Sequence, residues 1–131
     1  MRYGQPIDRR FEKLDALCDK IRGFANLPLG WDGEQAIPPR LDILGAACKL
    51  IRELPPEAEL PAVAPAVDGE IGLSWVNGAK QLNATLDGDY HLVWVKRTEA
   101  GARFVPGAEI DLNAEGYPPR RFAEEVAALY R

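Results

Sequence analysis

The sequence predicts an α+β fold with two N-terminal amphipathic helices, an antiparallel β-meander of four to five strands and a C-terminal helix. Apolar residues recur at steps of three and four over the first 54 residues and again near the C-terminus, as they do on one face of a helix. Asn-Gly and Asp-Gly pairs divide the middle of the chain at regular intervals, which indicates hairpins. With 131 residues, 47% hydrophobic and 27% charged, the chain is expected to form one soluble domain. Its parts are a helical half over 1–54, a sheet over 62–113 and a helix over 118–130.

The first helix is predicted from an apolar stripe that begins at Ile7. Asp8 is suited to accept hydrogen bonds from the first free backbone N–H groups, and Asn26, followed by Pro28, ends the pattern. The stripe consists of Ile7, Phe11, Leu14, Cys18, Ile21 and Ala25, widened by Leu17 and Phe24.

The second helix is predicted between Pro38-Pro39 and Pro55-Pro56, because proline is tolerated at a helix start and interrupts a helix interior. A coiled coil with another chain has the same apolar spacing, over a length of only three heptads. Cys18 and Cys48 fall on the apolar stripes, so both are expected to be buried free thiols in the reducing cytosol. The second stripe consists of Leu41, Leu44, Cys48 and Ile51.

The segment 26–39 joins the two helices and is long for a structureless loop, so its apolar residues are expected to pack. Gly30-Trp31-Asp32-Gly33 places a large aromatic among residues that favour tight turns, and Asp32 is suited to accept from nearby backbone N–H groups. Trp31 is expected to plug the space between the helices; the alternative is an exposed anchor for a partner. The residues expected to pack are Leu27, Leu29, Trp31 and Ile37.

The register of the meander follows from the turns that the sequence predicts. A two-residue Asn77-Gly78 turn pairs Leu73 with Leu82. A three-residue Asp87-Gly88-Asp89 loop pairs Leu82 with Trp94. The predicted inner face consists of Ile71, Leu73, Trp75, Leu82, Leu86, Tyr90, Leu92 and Trp94.

The strand Tyr90 to Arg97 is apolar on both sides, because His91, Val93 and Val95 point away from the inner face. The C-terminal helix, opened by Pro118-Pro119, is expected to cover this outer side; the alternative is a partner chain or self-association. The stripe of that helix is Phe122, Val126 and Leu129.

Two further segments are expected at the edges of the sheet. Pro65 marks the first strand as an edge strand, since proline has no N–H to donate. Phe104-Val105 and Ile110–Leu112 are expected to form one or two short strands, interrupted at Pro106-Gly107.

The charge balance excludes direct binding to nucleic acid. Sixteen basic and twenty acidic residues give a net charge of −4, without the basic excess that phosphate neutralisation needs. Residues 1–54 carry +1, residues 55–115 carry −6 and residues 116–131 carry +1. The acidic excess on the hairpins is expected to be a solvated rim, or alternatively a surface that attracts a basic protein.

The sequence offers little catalytic chemistry. A triad would need His91, the only histidine, and no Ser or Cys is expected beside it. Carboxylates Asp87 and Asp89 near His91, or Glu109 and Asp111 on an edge strand, are the candidate ligands of a divalent cation. Turn chemistry already explains the first pair, and the chain has no glycine-rich phosphate loop, so neither metal nor cofactor is expected.

Two segments carry a resemblance. Residues 27–33, Leu-Pro-Leu-Gly-Trp-Asp-Gly, precede Pro38-Pro39, and residues 65–75 form an Asp-Gly hairpin that ends in Trp75. This pattern resembles a group of short bacterial and phage proteins of unassigned activity. The resemblance implies an α+β fold and a prokaryotic or phage origin, and it brings no catalytic residues to this chain.

These observations favour a non-catalytic protein-binding module: a small bacterial or phage inhibitor of the antitoxin, immunity or counter-defence kind. No apolar run is long enough to span a membrane and no signal-peptide core is present, so the protein is expected in the cytoplasm without membrane contact. The alternatives are a self-associating accessory protein, such as a homodimer, and a small metal- or ligand-binding enzyme. Gly30, Gly33, Trp75 and Trp94 are expected to be structural. The expected partner-binding residues are Trp31, Asp32, Asp87, Asp89, His91, Val93 and Val95.

Overall fold

The computed structural model describes residues 6–115 and 119–131 and confirms the α+β class. Two N-terminal helices precede five strands, and a C-terminal helix follows them. A 3-10 turn, Phe24–Asn26, extends the first helix, and a four-residue helix follows the last strand. The helices are α1 Pro6–Gly23, α2 Leu41–Arg52, α3 Leu112–Glu115 and α4 Arg120–Ala128; the strands are β1 Ala62–Pro65, β2 Ile71–Asn77, β3 Lys80–Leu86, β4 His91–Arg97 and β5 Val105–Asp111.

The helix boundaries differ slightly from those that the sequence predicts. Asp8 lies inside α1, which begins at Pro6, so it does not precede the helix as an N-cap. Residue Pro119 occupies the N-cap position of α4, while Pro118 lies outside the described residues. None of the described helices is long and apolar enough to cross a membrane.

The five strands form one antiparallel sheet in the order β1-β2-β3-β4-β5, so each strand pairs with its neighbour in sequence. As predicted, β1 is an edge strand, and Pro65 pairs with Ile71 at its end. β5 is one continuous strand: its proline and glycine produce a bulge opposite Trp94 and Val95 without dividing it.

The predicted registers of both central hairpins are wrong by two residues. Trp75 pairs with Leu82, because Gly78 and Ala79 form the β2–β3 turn and Asn77 belongs to the strand. In the next hairpin, Ala84 pairs with Trp94, since the loop consists of residues 88–90. A shift of two residues leaves every side chain on its predicted face, because side chains in a strand alternate with period two.

The inner face of the sheet is covered by helices. Phe122 of α4 contacts Trp75 and Trp94 edge-on, with ring centroids 5.6 and 5.0 Å apart. The indole N–H of Trp94 donates to Glu125, which also lies on α4. Except for Tyr90, which is half-buried in a loop, the predicted inner-face residues are all buried.

Helix α1 packs against α2, and the two cysteines meet at their contact. Cys18 and Cys48 are free and buried, as predicted, and the Cys48 thiol lies 3.8 Å from the Cys18 carbonyl oxygen. Burial, with the nearby Cys18, raises the pKa of the Cys48 thiol to about 12. The thiol is therefore held in its protonated, unreactive form.

The prediction that the C-terminal helix covers Val93 and Val95 is wrong. Because α4 contacts Trp75 and Trp94, it lies on the inner face, opposite the two valines. Val93 is 42% exposed and Val95 is half-buried. The side of the sheet that carries His91, Val93 and Val95 is called the outer face below.

The predicted packing of several apolar residues is also wrong, since their side chains are exposed to solvent. Phe11, near the start of α1, is exposed, and so is Leu41, the first residue of α2. Leu29 and Ile37 of the connecting loop are exposed as well, whereas Leu27 is half-buried.

Candidate functional site

One end of the sheet gathers segments that are distant in sequence. The β1–β2 turn and the β3–β4 loop both lie at this end, because every second turn of a meander lies at the same end of the strands. The start of α2 and the loop before it lie here too, joined by hydrogen bonds described below. Residues 29–42, 66–70 and 87–90 are called the loop end from here on.

The loop before α2 is fixed by its own hydrogen bonds. Asp32 Oδ1 accepts the backbone N–H groups of Glu34 (2.9 Å) and Ala36 (3.2 Å), which confirms its predicted turn role. Gly30 donates its N–H to Ala36 O at 2.7 Å. Gly30 and Gly33 have φ values of 75° and 87°, in the left-handed region that side chains other than glycine's rarely adopt.

Trp31 stabilises this loop instead of separating the helices. Its indole N–H donates to Ile37 O at 3.3 Å, within the same loop. The ring is half-buried and, among the described residues, is not one of those packed against the hydrophobic core. The predicted plug between the two helices is therefore not found.

The same loop is attached to the β1–β2 turn. Ile37 donates its N–H to Val67 O at 3.0 Å, and its side chain lies against Gly69. This contact places Ile37 and Val67, both exposed, next to each other.

An ionic network attaches α2 to the β3–β4 loop. The Arg40 guanidinium donates to both carboxylate oxygens of Asp42, at 3.0 and 3.2 Å, and to Gly88 O at 2.8 Å. The phenol of Tyr90 donates to Asp42 Oδ2 at 3.0 Å. The hydrogen bonds from Arg40 and Tyr90 lower the pKa of Asp42 to about 2. The carboxylate is therefore ionised at neutral pH and links the start of α2 to the hairpin.

The β3–β4 loop is a turn closed by an aspartate. Asp87 Oδ1 accepts the N–H groups of Asp89 (2.8 Å) and His91 (3.0 Å), and its other oxygen lies 3.6 Å from His91 Nδ1. Tyr90 has a φ of 64°, which is uncommon for a residue with a side chain. Three-residue hairpin loops that end in a left-handed residue are a common class, and the hydrogen bond to Asp42 holds Tyr90 there.

Four large aliphatic side chains of the loop end are exposed to solvent. They come from three parts of the loop end: the connecting loop, the first turn of α2 and the β1–β2 turn. Their exposed fractions are 77% for Leu29, 65% for Leu41, 52% for Val67 and 46% for Ile37.

The structure divides the predicted partner-binding residues into two groups. Trp31, Asp32, Asp87 and Asp89 lie in the loop end. His91 follows directly after it, and Val93 and Val95 continue along the outer face towards the other end of β4. Trp75 and Trp94, predicted to be structural, are buried in the core.

Sequence reasoning missed the residues that hold this end together. Arg40, Asp42 and Tyr90 were not singled out for this role, because the bonds that join α2 to the hairpin, from Arg40 to Gly88 and from Tyr90 to Asp42, span 48 residues of the chain. Leu29, Ile37 and Leu41 could have been recognised, because they are large apolar residues in or next to a loop rich in proline and glycine. They were instead interpreted as residues that pack inside the protein.

Among the described residues, the candidate catalytic side chains are bonded to neighbouring residues. In the described part of the chain, the His91 side chain is paired with Asp87 alone, and Ser74, the only serine, donates to Asn83 Oδ1 at 2.8 Å. No group of three His, Cys, Asp or Glu side chains among the described residues is placed to hold a metal ion. The Asp111 carboxylate accepts the Asn113 N–H at 2.9 Å.

A comparison of the chain with protein-family models, curated proteins and solved structures finds no match.

Proposed function

We propose that the chain is a non-catalytic protein-binding module and that the loop end is its binding surface. The observation that carries this proposal is the exposure of four large aliphatic side chains on segments that are bonded to one another: Leu29, Ile37, Leu41 and Val67. Single exposed apolar residues are common on protein surfaces, whereas several on one surface are typical of interaction sites.

The backbone of the loop end supports the same proposal. Asp32 and Asp87 each fix a turn through two hydrogen bonds, and Arg40 fixes the distance between α2 and the hairpin. Because these segments are ordered before a partner arrives, binding would cost little further conformational entropy.

An inhibitor of the antitoxin, immunity or counter-defence kind is the form of binding module that we propose. Such an inhibitor needs a surface complementary to its target and no catalytic group of its own. The resemblance of residues 27–39 and 65–75 to short bacterial and phage proteins supports a source of this kind.

Affinity capture from a bacterial lysate, with mass spectrometry of the bound proteins, tests the proposal. The tagged wild type is compared with the double variant Leu29→Ser/Leu41→Ser, whose two side chains project into solvent. Burying even one leucine contributes about 1.5–3 kcal/mol, so the double variant is expected to lose about tenfold or more in affinity for the captured partner.

The matched control is Phe11→Ser, which removes an exposed apolar side chain from α1. It is expected to retain the partner in full. Capture of the same partner by all three proteins would show that the loop end is not the binding surface, and capture of no stoichiometric partner would contradict the proposed function.

The second candidate function is self-association through the outer face of the sheet. The observation that favours it is the exposure of Val76 and Val93, at 54% and 42%, on a face that α4 does not cover. The oligomeric state of the purified chain distinguishes this function from the first.

A further inference from the structure

The acidic charge of the chain is concentrated in the loop end. These segments contain seven of the twenty acidic residues and one of the sixteen basic residues, a formal charge of −6 against −4 for the whole chain. The rest of the chain is therefore slightly basic. The seven acidic residues are Asp32, Glu34, Asp42, Asp68, Glu70, Asp87 and Asp89.

The single cation of the loop end is already used within the chain. Arg40 forms its ion pair with Asp42 at 3.0 Å and donates to Gly88 O. The carboxylates of Glu34, Asp68 and Asp89, by contrast, accept no hydrogen bond and form no ion pair with any described residue. These three groups can meet charges on another molecule, although the charge of Asp89 also acts on Arg40.

The acidic groups also repel one another. Partial burial and the charges of Asp68 and Asp87 raise the pKa of Glu70. Register places Glu70 and Asp87 next to each other, at the end of the β2–β3 pair. A cation placed over these groups would relieve repulsion that no positive side chain of the loop end relieves.

We propose that the loop end docks a basic protein surface in which lysine and arginine surround exposed apolar side chains. The apolar side chains of the partner would cover Leu29, Ile37, Leu41 and Val67, and its cations would meet Glu34, Asp68 and Asp89. This proposal rests on the proposed function and adds the chemistry of the partner. Charge complementarity of this kind accelerates association and excludes partners of the wrong sign.

Charge also argues against the other classes of large partner. Nucleic acid and anionic membrane surfaces carry negative charge and would be repelled by seven carboxylates. The exposed aliphatic side chains would gain nothing from a small hydrated cation. A basic protein surface with an apolar centre satisfies both features of the loop end.

Titration with defined peptides tests this inference on the intact chain. The first probe is a synthetic amphipathic helix with a leucine face flanked by lysines, and the second has glutamate at every lysine position. Poly-L-lysine is the third probe and supplies charge without an apolar face. Amide chemical shifts in ¹H–¹⁵N NMR spectra locate the bound probe, and their titration gives its affinity at low and high salt.

The lysine–leucine peptide is expected to shift the amide signals of residues 29–42, 66–70 and 87–90, with an affinity that falls as salt rises. The variant Glu34→Gln/Asp68→Asn/Asp89→Asn is expected to weaken this binding about tenfold, as expected for loss of roughly 1.4 kcal/mol. The variant Glu12→Gln/Glu53→Gln/Glu99→Gln removes the same charge elsewhere and is expected to leave the affinity unchanged.

Each other result overturns the inference in a recognisable way. Equal affinity for the lysine and glutamate peptides, with loss of binding in Leu29→Ser/Leu41→Ser, would preserve the protein-binding surface and refute its preference for basic partners. Equal affinity for poly-L-lysine would show that the apolar side chains take no part. Absence of peptide binding at the loop end would contradict both the inference and the proposed function.

Discussion

At the scale of single residues, Gly107 leaves room for a core tryptophan. A Cβ atom at this position would overlap Nε1 and Cδ1 of Trp94. The Trp94 ring has no free space to move into, because Phe122 packs against it and its N–H is bonded to Glu125. The glycine therefore permits β5 to pass directly over the indole.

We expect Gly107→Ala to destabilise the fold by about 1–3 kcal/mol, since overpacking shifts a rigid core. Gly45→Ala is the matched control, because Gly45 lies on the exposed side of α2 with no atom within 4 Å of the added Cβ. That substitution is expected to stabilise by about 0.5–1 kcal/mol through helix propensity. Urea denaturation of both variants measures the two changes, and effects of equal sign would refute this account of Gly107.

At the scale of elements, α4 packs on the sheet through several buried apolar side chains, of which Phe122 is the largest. Phe122 is fully buried between Trp75 and Trp94, in edge-on contact with both rings. The same helix is also tied to β4 at its surface, where Lys96 donates to Glu125 at 3.1 Å. The aromatic contact is the larger of the two, because the ion pair is only partly buried, so solvent screens it and desolvation offsets part of its attraction.

Phe122→Ala is expected to cost about 3–5 kcal/mol, the usual loss for truncating a buried phenylalanine. Phe11→Ala removes the same atoms from an exposed position on α1 and is expected to change stability by no more than about 0.5 kcal/mol. Chemical denaturation followed by tryptophan fluorescence gives both values. A loss below about 1 kcal/mol for Phe122→Ala would mean that α4 does not depend on this contact.

The elements also show which parts of the fold the sequence determines. Periodicity located α1, α2 and α4, because burial of one face requires apolar residues at a fixed spacing, and turn signals located the central strands. Helix α3 was not predicted, and Leu112, expected at the end of a strand, is its first residue. The registers were wrong because Asn77-Gly78 and Asp87-Gly88 each mark a turn without specifying which residues form its tip. The prediction of the face on which α4 packs was wrong because β4 is apolar on both faces. Val93 on one face and Trp94 on the other are equally suited to burial.

At the scale of the whole molecule, the candidate site depends on contacts between distant segments. Its turn aspartates were predictable, since Asp32 and Asp87 bond to their own neighbours in sequence. The assembly was not, because it depends on Arg40 reaching Gly88 and on Ile37 reaching Val67. Only the fold brings those pairs together, and with them the exposed aliphatic side chains and the acidic residues of the loop end.

The outer face of the sheet is also a property of the whole molecule, and its polar side chains indicate that it faces water. Asn83 Oδ1 accepts from Ser74 Oγ at 2.8 Å and from Gln81 Nε2 at 3.1 Å. The Arg97 guanidinium donates to Gln81 Oε1 at 3.1 Å. This cross-strand ladder separates Val76 of β2 from the two valines of β4, and antiparallel sheets often expose one such polar face to solvent.

We therefore expect the purified chain to have the mass of one protomer at every concentration in a light-scattering series. Val93→Glu is expected to leave this mass unchanged, because Val93 faces solvent and makes no contact with a second copy of the chain. Phe11→Glu adds the same charge to α1 and serves as the control. If the chain forms a dimer that Val93→Glu dissociates and Phe11→Glu does not, the outer face is a subunit interface. Self-association would then replace binding at the loop end as the favoured function.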